Sequence, residues 1–81
     1  MMHVAFCGPM SLRLLKDRLD GNPELPRGYE FPLMAYLVKA LLDEGLRVTV
    51  VTSCCDVQQA TMWAGANLQV FATPRRRHLL F

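Results

Sequence analysis

Cysteine is scarce and oddly counted. Three residues, two of them adjacent (Cys54 and Cys55), do not make a disulfide framework, and free thiols in a reducing compartment follow. Long apolar runs are absent too. The longest, residues 31–42, is interrupted by Lys39 and falls short of the roughly 18–20 residues needed to span a bilayer. The N-terminus has no basic segment ahead of an apolar one, so no secretory signal is read. A net charge of +2 is too slight to imply a nucleic-acid partner. Neither G-x-G-x-x-G nor a P-loop ending in Gly-Lys-Ser/Thr occurs. Cys54-Cys55 has the wrong spacing for a zinc pair, and His3 and His78 lie far from it, so no metal or other cofactor is assigned. These absences describe a soluble, cytoplasmic protein without a membrane span.

What is present is apolar and glycine-punctuated. Apolar residues make up 52% of the 81, and mean hydropathy is +0.17. That is high for a chain that buries only about 60–65% of its unfolded surface. It fits strands covered on both sides, or a piece whose covering elements lie elsewhere. His3–Cys7 reads as a short apolar strand ended by Gly8-Pro9. Ser11 can cap a short helix over residues 12–19, with Leu12, Leu15 and Leu19 on one face. A long Pro- and Gly-rich loop then leads to a helix in which Phe31, Met34, Ala35, Val38, Leu41 and Leu42 follow the helical spacing. Pro32 suits its first turn and Gly45 its C-cap. The β-branched residues 47–52 form a second strand, residues 57–63 a short helix capped by Asp56 and closed by Gly65, and residues 67–73 a third strand. The fold expected is α/β: a three-stranded parallel, Rossmann-like βαβαβ segment, an incomplete doubly wound domain occupying residues 1–81.

Such units gather loop backbone and a helix N-terminus at the carboxyl edge of the sheet, where small anionic ligands bind. Two candidate segments lie there. In Gly8-Pro9-Met10-Ser11, glycine admits a ligand to the backbone, and the Ser11 hydroxyl can meet a phosphate oxygen. In Gly28-Tyr29-Glu30, the first amides of the main helix can face a ligand or be satisfied by the Glu30 carboxylate. For the first, an ordinary βα turn with a serine cap is the preferred reading of the motif alone; for the second, the two readings stand level. Arg75-Arg76-Arg77-His78 reads as a solvated basic run without aromatic interleaving. Cys7, ending a buried strand, is assigned to the core. Met62 and Trp63 are read as packing residues. Cys54 and Cys55 have no identifiable base partner, so no catalytic residue is named.

The strand ending in Gly8, the long loop and Pro26-Arg27-Gly28-Tyr29-Glu30-Phe31 opening a helix resemble the N-terminal domain of GT-B glycosyltransferases. The likeness is to the retaining, nucleotide-sugar-dependent group called family 4. Residues 36–45 followed by Arg47-Val48-Thr49-Val50-Val51-Thr52 look like that family's "GH-x-V-T-V-x-T" segment, and the resemblance spans residues 1–77. The chain departs from the pattern where Tyr29 follows Gly28 in place of a second glycine, and where Leu46 replaces histidine. The carboxylate pair that holds the nucleotide in the family's second domain has no counterpart here. The resemblance implies a part of a glycosyltransferase, inactive alone, whose Gly8, Ser11, Gly28, Tyr29 and Glu30 contact a nucleotide-sugar donor or the acceptor from the N-terminal side. Two other readings stay open. One is a non-catalytic Rossmann-like module that forms a homo-oligomer through exposed apolar surface, including Leu79-Leu80-Phe81. The other is a different nucleotide- or phosphate-binding α/β enzyme.

Overall fold

Alternation along Arg47–Cys54 (β2) organises the sheet: Val48, Val50 and Thr52 are buried, whereas Val51 between them is exposed. The computed structural model describes residues 2–26, 32–54 and 57–74. In it, β2 pairs in parallel with His3–Cys7 (β1), Cys7 opposite Val51. On its other side β2 pairs in parallel with Leu68–Pro74 (β4), Val48 opposite Leu68. Thr61–Ala64 (β3) pairs antiparallel with the far edge of β4, Met62 opposite Phe71, so the spatial order is β1-β2-β4-β3. The protein is therefore α/β with a four-stranded mixed sheet, and the three-stranded parallel βαβαβ expectation is corrected.

The correction arises at residues 57–63, where a helix was expected. Thr61 and Trp63 are half-buried while Met62 and Ala64 are exposed, a period of two rather than 3.6. Trp63 packs against the core, as expected of it. Met62 does not pack there and is 52% exposed. Gly65 does not close a helix but lies in the turn from β3 to β4, its N–H donating to the Leu68 carbonyl at 2.7 Å.

Leu12–Arg18 forms a 3₁₀ helix, one residue shorter than the expected helix. Three residues per turn place Leu12 and Leu15 one above the other, and both are fully buried. Pro32–Asp43 (α1) buries Ala35 and Val38, with Met34, Leu41 and Leu42 packed half-buried beside them. Its end is a Schellman motif: Leu46 N–H donates to the Leu41 carbonyl and Gly45 N–H to the Leu42 carbonyl, with Gly45 at φ +86°.

The core joins the 3₁₀ helix and α1 to one face of the sheet, through Val48, Val50, Leu68, Val70 and Ala72. The other face carries an apolar row, Cys7–Val51–Phe71–Met62, aligned across all four strands by their register. All four are exposed, so among the described residues one face of the sheet is covered, not two. Cys7 accordingly lies outside the core: its odd-numbered position on β1 points it away from the helices, contrary to the core role expected of it.

Two ion pairs fasten the 3₁₀ helix to α1, Arg18 to Asp43 at 2.8 Å and Lys39 to Asp17 at 3.2 Å. The hydrogen bond from Lys39, reinforced by its charge, holds the Asp17 carboxyl below its usual range. A carboxyl lowered by folding stabilises the fold above its unfolded pKa, and that contribution fades as pH falls below about 4. Because Asp17 is largely exposed, Lys39→Ala should cost less than about 1 kcal/mol at neutral pH. In paired denaturant melts this difference should shrink on acidification; a difference that grows would contradict it.

Gly65 is a tighter constraint. A methyl group there would overlap the Arg18 carbonyl oxygen and come 3.2 Å from Leu19 Cα, where Asp20 N–H also reaches the Ala64 carbonyl at 2.9 Å. Backbone cannot yield as a side chain end can. Gly65→Ala should therefore destabilise by about 1–3 kcal/mol in equilibrium unfolding.

Candidate functional site

The chain leaves β1 at Cys7 and turns sharply at Gly8, whose φ of +148° is open to glycine and strained for other residues. The turn carries Met10 back beneath the sheet edge, where it is 1% exposed. Between this turn and the first turn of α1 lies a cavity of about 310 Å³, lined by Phe6, Cys7, Gly8, Pro9, Met10, Leu33 and Met34. It sits at the carboxyl end of β1, the position at which open parallel sheets bind ligands.

Its chemistry differs from that of a phosphate cradle. The Gly8 N–H donates to the Val51 carbonyl at 3.0 Å, continuing the sheet ladder, and Pro9 has no N–H. No described lining side chain is charged. Arg18 and Lys39 are engaged with Asp43 and Asp17, and both ion pairs lie beside the later part of α1, away from its first turn. The hydrogen bond that Arg18 donates to the Asp43 carboxylate holds the guanidinium still more firmly protonated. These two cations are therefore directed away from the site.

Of the residues expected at the site, the structure places Gly8 in the cavity wall. Ser11 begins the 3₁₀ helix a few residues on, with its carbonyl accepting from Leu14 N–H at 3.3 Å. Its hydroxyl makes no capping hydrogen bond, and Ser11 is not part of the cavity lining. Gly28, Tyr29 and Glu30 lie outside the described residues, as do Arg75, Arg76, Arg77 and His78. Four lining residues had not been singled out for the site: Phe6, Cys7, Leu33 and Met34. Two signals in the sequence mark three of them. Phe6 and Cys7 are consecutive on a strand, so they flank its end on opposite faces, and Leu33 is an apolar residue off the buried stripe of α1.

Among the described residues no group of three His, Cys, Asp or Glu side chains is placed to hold a metal ion, and no helix is long and apolar enough to cross a membrane. Gly8→Ala leaves room for the new methyl but forces an alanine into left-handed backbone. It should cost about 1–2 kcal/mol in thermal or urea unfolding. An unchanged midpoint would show that the turn is not held as described.

Neither family models, curated proteins nor solved structures gave a match to this chain.

Proposed function

We propose that the chain is the N-terminal α/β segment of a nucleotide-sugar-dependent glycosyltransferase of the GT-B type, inactive alone, whose β1 carboxyl edge forms one wall of the transfer cleft. The observation that carries this reading is the one-sided sheet. Among the described residues β1 is an edge strand with one parallel partner, and the face opposite the helices exposes the row Cys7, Val51, Phe71 and Met62. Further βα units would add strands beyond β1 and set helices on that face, completing a doubly wound domain. The resemblance of residues 26–31 and 36–52 to family 4 supplies the activity class. In this reading the cytoplasmic chain offers Gly8 and Ser11, with Gly28, Tyr29 and Glu30, to donor or acceptor, and the second domain binds the nucleotide.

One alternative has its own support. α1 also exposes Leu33, Tyr36 and Leu37 along one outer stripe, so apolar surface stands open on two sides. A non-catalytic module that self-associates would cover such surface with a second copy.

An amide NMR titration of the chain with UDP-glucose and GDP-mannose separates the two. The glycosyltransferase reading expects shifts gathered at Gly8, Ser11, Gly28, Tyr29 and Glu30, with no sugar transfer by the chain alone. A stable oligomer that leaves those amides unmoved by either nucleotide-sugar would favour the module.

A further inference from the structure

We infer that the cavity at the carboxyl end of β1 binds an aryl group, one ring with a substituent or two fused rings in size. This rests on the cavity's own chemistry and not on the glycosyltransferase reading.

Size sets the first bound. A cavity of about 150 Å³ accepts benzene, so the 310 Å³ here leaves room for a ring and more, at the small end of ligand pockets. A helix or an extended peptide would not fit within it. Polarity sets the second. With the Gly8 N–H engaged by Val51, no N–H on Pro9 and no charged side chain in the described lining, a phosphate or a sugar entering would exchange water for unpaired surroundings. The lining then separates aryl from alkyl. Met10 forms a fully buried floor and Met34 a half-buried wall, and thioether sulfur contacts ring edges favourably. Phe6 adds an aromatic ring to the lining, and aromatic pairs are favoured beyond their area.

The methionines also provide the test. Met10 and Met34 report on the cavity, Met62 on the open face of the sheet, and Met2 on exposed chain. The full chain carrying ¹³C-methyl methionine is titrated with 2-naphthol, cyclohexanol, glucose and inorganic phosphate. Expected are saturable upfield ring-current shifts at Met10 and Met34 with 2-naphthol, while Met62 and Met2 stay in place. Cyclohexanol should bind at least several-fold more weakly, and glucose and phosphate should move neither cavity methyl. Leu33, 77% exposed at the cavity rim, can be changed to Asp without touching the core, and Leu33→Asp should weaken 2-naphthol about tenfold. A response led by Met62, equal binding of cyclohexanol, movement of the cavity methyls by phosphate or glucose, or no response to 2-naphthol would each overturn the inference. Should that variant unfold, the wild-type pattern across the methionines decides alone.

Discussion

Everything in this protein depends on the burial of the even-numbered side of β2. Val48 and Val50 sit beneath α1 and the 3₁₀ helix, and β2 is the strand that both β1 and β4 share as parallel partner. Once these valines face the helices, register fixes the rest. Val4 and Phe6 on β1 and Leu68, Val70 and Ala72 on β4 must turn to the same side, and Cys7, Val51 and Phe71 to the other. The covered face and the open face are consequences of one alternation.

The same geometry delivers the site. Parallel strands end together at one edge, and the chain must leave β1 there and reach α1. The left-handed turn at Gly8 sends Met10 inward as the cavity floor, while Pro32 starts α1 so that Leu33 and Met34 complete the wall. The position is the carboxyl end of β1, beside its parallel partner β2, and the lining is apolar. Position and lining therefore speak to different things: the first to the class of fold, the second to the kind of group the cavity can hold.

Much of the architecture is legible in the sequence because its signals are strong and local. β1 is bounded by Gly8-Pro9, α1 repeats apolar residues at helical spacing and stops at Gly45, and β2 is rich in β-branched residues. β3 is not legible in the same way. Four residues give too few alternations, Gln58-Gln59-Ala60 before them favour helix, and the Gly-Ala-Asn turn lacks a strong hairpin dipeptide. What holds β3 is tertiary: Trp63 against the core, and backbone hydrogen bonds from the Asp20 N–H to the Ala64 carbonyl and from the Gly65 N–H to the Leu68 carbonyl. At the site, Gly8 is legible as a turn glycine. The apolar lining is not, because it follows from the Met10 turn and the first turn of α1 meeting at the end of β1, which packing settles.

The central claim is that this sheet is covered on one face, with Cys7 on the other. Peptide-mapped alkylation of the native chain at low protein concentration tests it most directly, by comparing the Cys7 rate with that in denaturant. A one-sided sheet predicts that Cys7 reacts in the native protein at close to its denatured rate. Protection of Cys7 by orders of magnitude would mean that the face is covered, and would contradict the account.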